Sequence, residues 1–251
     1  MKIAFIQHAS LIGIYTLLLS CSDYVKSDRK VYKRYANEAS GFGKTEIPVA
    51  DYETFKSLND DFAYDKNHVY HGLNILQGAD AASFSIVDES RGYYKDRSNV
   101  YFFGYGGINN LIAEADPSTF GVASLLPWSF DSKNVFWITN KLIPKPKPDF
   151  KPIDEHWARD RSRIYYQNVA VDSADYESFK ALIDGYAKDK YNVFFKDKII
   201  QNCSPQDFVT MRNFGAHDKT YYYYFGKRKE LLSEYEAKDK LFRQQLKHPQ
   251  R

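Results

Sequence analysis

The stretch Tyr186-Ala-Lys-Asp-Lys-Tyr-Asn-Val-Phe-Phe195 decides the fold, because versions of it recur along the chain. Aligned on the acidic residue, the copies read Asp65-Lys-Asn-His-Val-Tyr70, Asp96-Arg-Ser-Asn-Val-Tyr101, Asp131-Ser-Lys-Asn-Val-Phe136, Asp160-Arg-Ser-Arg-Ile-Tyr165, Asp189-Lys-Tyr-Asn-Val-Phe194 and Asp218-Lys-Thr-Tyr-Tyr-Tyr223. Successive Asp residues stand 31, 35, 29, 29 and 29 positions apart. A period of this length marks one small unit copied and stacked, rather than one globular enzyme with a unique pocket.

The residues of each copy spell a β-hairpin. The fourth residue after Asp is β-branched in five copies (Val69, Val100, Val135, Ile164, Val193) and the fifth is aromatic in all six. Three residues before Asp stands another aromatic: Phe62, Tyr93, Trp128, Trp157 and Tyr186. Such side chains suit a pleated, half-buried surface, while the polar insert between them is turn chemistry. Asp opens a turn by accepting backbone N–H groups downstream, and Asn99, Asn134 and Asn192 belong to the type that tolerates positive φ. Positions four and five point to opposite faces of a strand, so apolar residues at both imply a strand covered on both sides.

A second pattern lies between the hairpins. Asp51-Tyr-Glu-Thr-Phe55, Asp80-Ala-Ala-Ser-Phe84, Asp116-Pro-Ser-Thr-Phe120 and Asp175-Tyr-Glu-Ser-Phe179 share Asp-x-x-Ser/Thr-Phe, with degenerate forms at Pro148-Asp149-Phe150 and Pro205-Gln-Asp207-Phe208. Asp is a good helix N-cap, and Pro117 fits the first helical position, where a missing N–H costs nothing. These segments read as single capped helical turns whose Phe plugs the core. Turn and cap chemistry accounts for each of these Asp residues without a ligand or catalytic role.

On these residues the chain resembles the DKNYY family, named for an Asp-Lys-Asn-Tyr-Tyr core. The matching features are Tyr186 to Phe195 with Lys196-Asp-Lys-Ile-Ile200 behind it, Asp65-Lys-Asn67, Asp116 to Phe120 and the Tyr-Ala-x-Asp spacing. The resemblance spans residues 50–226. It implies a bacterial, often exported or lipid-anchored protein of unknown activity, and it implies no catalytic residues. The third unit departs from the pattern at Lys145-Pro-Lys-Pro-Asp149, where an irregular hairpin is expected.

Composition narrows the classes further. With 251 residues and 43% hydrophobic content the chain can bury a sizeable core. A net charge of +3, from 35 basic and 32 acidic residues, lacks the basic excess of a nucleic-acid binder. At the start, Lys2 precedes an apolar run from Ala9 to Leu19 that ends Leu17-Leu-Leu-Ser-Cys21. That run is short for a membrane span and has the form of a secretory signal. Leu18, Ser20 and Cys21 resemble a bacterial lipobox, which makes Cys21 the lipidated first mature residue and attaches the protein to a membrane surface. The expected organisation is a lipoprotein signal peptide (1–20), a polar tether (21–49), the repeat domain (50–226) and a charged C-terminal helix (227–251) capping the last repeat. Within the tether, Asp28-Arg-Lys-Val-Tyr32 is a candidate truncated hairpin or first strand.

Signatures of enzyme sites are weak. His68 and His71 are read as strand residues on opposite faces, and His156 as a loop residue beside Asp154 and Glu155. Gly104-Tyr-Gly106-Gly107 reads as a flexible turn rather than a phosphate loop. Cys203 lacks a persuasive partner. A Lys or Arg follows the corner Asp in five units, which disfavours calcium there. The expected fold is therefore all-β, with about six tandem β-hairpin repeats in a solenoid-like stack or propeller-like ring, short capped helical turns and a C-terminal helix. The expected role is a non-enzymatic, membrane-anchored bacterial envelope protein, with neither cofactor nor metal, whose partners are an envelope glycan or protein and not nucleic acid. The alternative is an envelope hydrolase with its site on the inserts at 102–116 and 143–160, where Asp154, Glu155, His156 and Asp160 fall close in sequence.

Overall fold

The computed structural model describes residues 23–37, 41–104 and 110–247. The signal peptide, Cys21 and most of the Gly104–Gly107 segment therefore lie outside the described residues. The described chain is mostly β, built from small antiparallel sheets and closed by one helix, Leu232–Lys247. No helix among the described residues is long and apolar enough to cross a membrane. Two compact units divide the chain, residues 1–82 and 83–251.

Each repeat is larger than the hairpin read from the sequence. In the fifth, Tyr186–Lys188 and Val193–Phe195 form the central hairpin, and two-residue strands Lys180–Ala181 and Lys198–Ile199 pair on its outer edges. All six repeats are such four-stranded meanders, in sequence order. Except for Ser85–Asp88 and Lys227–Leu231, the outer strands have two residues, too few to show a two-residue alternation, which is why the pattern did not reveal them. The central hairpin of the third unit, Trp128–Phe130 with Val135–Trp137, is regular; the departure at Lys145–Asp149 falls in the connection that follows it.

Two kinds of turn join the strands. The corner at each repeat Asp is a four-residue loop, such as Asp65–His68 between Tyr64 and Val69. Positive φ was expected at Asn99, Asn134 and Asn192, but none of them has it. It occurs instead in the two-residue loop leading to the last strand, at Gly72, Ile138, Gln167, Lys196 and Phe225. Two-residue hairpin loops need left-handed backbone to match the twist of the strands they join, whereas a four-residue corner does not.

The stretch expected to be a tether, residues 21–49, carries a three-stranded sheet: Tyr24–Ser27, Lys30–Asn37 and Gly41–Glu46. Asp28 and Arg29, both at positive φ, make its first turn. Apolar residues at 24, 31 and 47 draw it onto the first repeat, where Tyr24, Val31 and Ile47 pack with Phe55, Ala63 and Tyr70. At the other end the expected helix begins five residues late, because Lys227–Leu231 completes the sixth sheet as its outer strand.

In the unit 83–251, four apolar cores join consecutive sheets. One unites Tyr93, Val100 and Phe102 of the second repeat with Phe120 and Phe136. The others link Trp128 with Ala158 and Tyr165, Trp157 and Ile164 with Ala187 and Phe194, and Tyr186 and Val193 with Ala216 and Tyr223. Position four of one hairpin thus meets position five of the next, the two-sided burial that the apolar doublets require. The connecting Phe of each capped turn fills these seams: Phe120, Phe179 and Phe208 are buried.

Polar tips add a bond between neighbours. The hydroxyl of Tyr93 donates to Pro127 O (3.2 Å), Trp128 Nε1 to Asp154 O (2.7 Å) and the Tyr186 hydroxyl to Phe214 O (2.9 Å). These three rings give their apolar bodies to the core and their donors to the next repeat, whereas Trp157, at the same place in the fourth repeat, has a buried Nε1 with no partner.

Candidate functional site

The corner Asp residues are the most constrained polar groups in the described chain. Asp65, Asp96, Asp131, Asp160, Asp189 and Asp218 are all buried, and Ser129 is the other polar residue that shares that burial. A buried carboxylate is tolerated only when donors surround it. In every repeat Oδ1 accepts the N–H groups two and three residues on, at 2.6–2.9 Å.

Oδ2 reaches further. It accepts the hydroxyl of the fifth residue where that is Tyr: Tyr70 (2.6 Å), Tyr101 (2.7 Å), Tyr165 (2.8 Å) and Tyr223 (2.8 Å). It also accepts a backbone N–H from the connection that precedes the hairpin: Asp51 to Asp65 (2.9 Å), Asp116 to Asp131 (2.9 Å), Lys147 to Asp160 (3.0 Å) and Asp175 to Asp189 (2.8 Å). The aromatic at position five was legible in the sequence, but the work of its hydroxyl was not.

The Asp-x-x-Ser/Thr-Phe turn grips the same corner. Asp51 accepts the N–H and hydroxyl of Thr54 at 2.9 and 2.7 Å, closing a single turn, and Thr54 Oγ1 accepts the N–H of Lys66 just after the corner. Ser83, Thr119 and Ser178 do the same for Arg97, Ser132 and Lys190. In the fourth repeat Asp149 supplies that acceptor to Arg161 N (3.0 Å), so the irregular connection keeps the clamp.

These bonds set the charge states. Burial pushes the Asp160 carboxyl upward, but donors from Lys147, Ser162, Tyr165 and Arg163 outweigh it and hold the group down at about 2. The same opposition, burial against donors, leaves Asp65, Asp131 and Asp218 below the usual carboxylate range. Burial, then the bonded carboxylate, raises Tyr165 to about 12 and raises Tyr70 as well; Tyr223 also rises, through burial, Cys203 and Asp218. These carboxylates therefore face N–H and O–H donors, an arrangement that suits fixed negative charge and not a cation.

The residues of the alternative hydrolase reading are directed to separate tasks. Asp154 Oδ1 accepts the N–H groups of His156 and Trp157 at 2.8 and 2.7 Å. Asp160 is spent on its corner, and Glu155 is exposed with one oxygen 3.6 Å from His156 Nε2. The His156 ring lies between Trp137 and Tyr166, at 6.3 and 5.8 Å, and its Nδ1 is buried with no partner. His68 sits in a corner turn rather than a strand, while His71 stacks on Phe62 at 4.7 Å. Burial, foremost, raises the Cys203 thiol to about 11, far from a reactive thiolate.

Among the openings between described residues, one lies at the third corner. A cleft of about 390 Å³ lies between the third corner and the connection after it, lined by Phe130, Lys133, Lys145, Pro146, Lys147 and Phe150 among others. The signal that could have found it is the residue before each corner Asp. Lys95 Nζ donates to Pro117 O (2.8 Å), Lys188 Nζ to Pro205 O (2.9 Å), and Arg159 lies 5.0 Å over the Tyr176 ring, so three repeats carry a cation that spans to the next connection. The third repeat has Phe130 there instead.

Fold and corner chemistry together define a tandem β-repeat protein, each repeat a four-stranded meander locked by a buried, multiply bonded Asp. The family model for the DKNYY family matches residues 2–105 and 157–247, more than half of the chain, and the chain belongs to that family. Neither the curated proteins nor the solved structures contain a match.

Proposed function

We propose that the protein is a non-enzymatic binding or structural module of the bacterial cell envelope, held at a membrane by a lipid on Cys21 and meeting an envelope glycan or protein through its repeat surface. The observation that carries this reading is the internal use of the repeated chemistry. The six corner carboxylates and the fifth-position rings bond and pack within the repeat array. A copied unit whose acids are all engaged in holding it together multiplies surface rather than reactivity.

For the unit 83–251 we infer an open, solenoid-like stack, since each core cluster joins a sheet to its sequence neighbour. The anchor is supported by Leu18, Ser20 and Cys21. Membrane fractionation of cells carrying Cys21→Ser tests the location, with release of the protein expected and unchanged fractionation refuting it. Crosslinking in intact cells followed by purification tests the role: recovery of envelope polymer or envelope protein is expected, and recovery of neither refutes it.

A further inference from the structure

We infer that the cleft between the third corner and the Lys145–Pro148 connection is a binding site for an anionic sugar, one bearing a phosphate or a carboxylate. The assignment rests on the envelope reading above only for where such a sugar would come from; the site itself stands on geometry.

The cleft lies where the third repeat departs from three of its neighbours; the first and sixth repeats, with Tyr64 and His217 before the corner, also lack the cation. In the second, fourth and fifth repeats a cation before the corner Asp reaches the following connection, through Lys95, Arg159 and Lys188. Phe130 cannot make that bond. It stays 44% exposed, and the space of about 390 Å³ remains open, within the range of small-ligand sites. The connection on the far side, Lys145-Pro-Lys-Pro148, is stiffened by two prolines, and Pro146 is buried. Its backbone is tied at Lys147 N to Asp160 (3.0 Å), and nearby Ile143 N donates to Asn168 O (3.1 Å). The wall is therefore anchored just before the proline segment and within it. All the lining residues fall between the two segments matched by the family model, 2–105 and 157–247.

Its chemistry is two-sided. Lys133, Lys145 and Lys147 line the cleft, and among the described residues none of them is held in an ion pair. Lys133 does lie close enough to Asp116 to help lower that carboxyl, a lesser cause behind the bonds from Ser118. The single acid in the lining, Asp131, is already covered by Asp116 N, Lys133 N, Asn134 N and Asn134 Nδ2. Phe130 and Phe150 add aromatic surface. Unpaired ammonium groups select an anion, and an exposed ring favours the apolar face of a sugar ring. A neutral sugar would leave the lysines unused, and inorganic phosphate would leave the rings bare.

The test is calorimetric titration of the purified full-length chain with N-acetylglucosamine 6-phosphate, glucuronate, N-acetylglucosamine and inorganic phosphate. At least one anionic sugar should bind about tenfold or more tighter than both the neutral sugar and phosphate alone. Comparing the phosphorylated sugar with glucuronate tells which anion is preferred. The decisive variant is Phe130→Lys, which restores the spanning cation and fills the cleft: binding should be lost although positive charge is added. Lys145→Gln with Lys147→Gln, on exposed residues, should weaken binding about tenfold or more without changing the melting curve, and decides the matter should Phe130→Lys fail to fold. Tighter binding by Phe130→Lys, unchanged binding by the double variant, or no saturation by either anionic sugar up to about 10 mM would overturn the assignment. A chain that binds the sugar but is absent from the envelope fraction refutes the envelope reading and leaves the cleft standing; an envelope-bound chain that ignores the sugar does the reverse.

Discussion

Replacing Tyr165 by Phe deletes one oxygen from a buried bond and little else. Phe136 and Phe194 occupy the equivalent place in two other repeats, so the ring itself fits without the hydroxyl. Tyr165 and Asp160 are both buried, and their bond is 2.8 Å long. A hydrogen bond to a charged group contributes about 1.5–3 kcal/mol, and a buried carboxylate short of a donor sits at the costly end of what such a deletion does. A loss of about 2 kcal/mol at neutral pH follows, roughly a thirtyfold fall in the folded-to-unfolded ratio.

The loss should depend on pH in a particular direction. The folded Asp160 carboxyl is depressed to about 2 from 3.8, so its contribution is present above the unfolded value and is lost as pH falls from about 4 towards 2. Removing a donor raises the folded value, and the gap between parent and variant therefore narrows on acidification. Urea unfolding at several pH values between 3 and 7 measures the gap, and hydrogen exchange at Ser162 and Arg163 localises it. Equal midpoints at pH 7, or a deficit that does not shrink towards pH 3, would refute the account of the corner as a charged, donor-saturated centre.

Three further outcomes are expected. Ser129→Ala should stabilise the protein by about 1 kcal/mol, because the buried Ser129 hydroxyl has no partner and Ala63, Ala158, Ala187 and Ala216 hold its place in four other repeats; an unchanged or lowered urea midpoint counts against it. Gln167→Gly should leave stability level or raise it by up to about 1 kcal/mol, since Gln167 sits at φ 54°, and a clear loss would show that its side chain matters more than its backbone. In an alkaline titration followed by tyrosinate absorbance, Tyr165 and Tyr166 should ionise near 12 after the ordinary tyrosines, with the stability that their raised values lend present below 10 and lost as pH rises through 12; complete ionisation near 10 in the folded protein contradicts their bonding and burial.

Tandem repetition, the central hairpin and the capped Phe turns were all legible in order of residues, because each is local. A β-branched residue beside an aromatic declares a strand, and an Asp two residues before a backbone N–H declares a turn, whatever the rest of the chain does. The same locality explains the misses. Two-residue outer strands carry no readable period, and the sheet at 24–46 owes its place to Tyr24, Val31 and Ile47 meeting a repeat many residues away.

What packing alone decided is the fate of the polar groups. The sequence placed Asp160 at a corner, yet its burial and its bond to Lys147, thirteen residues upstream, exist because the connection folds back over the hairpin. The substitution of Phe130 for a spanning cation was visible as a letter, but it becomes an opening only where Lys145–Pro148 stands across from it. Neighbouring residues fix backbone preference, whereas bonds and voids between distant segments depend on which surfaces the stacked sheets bring together.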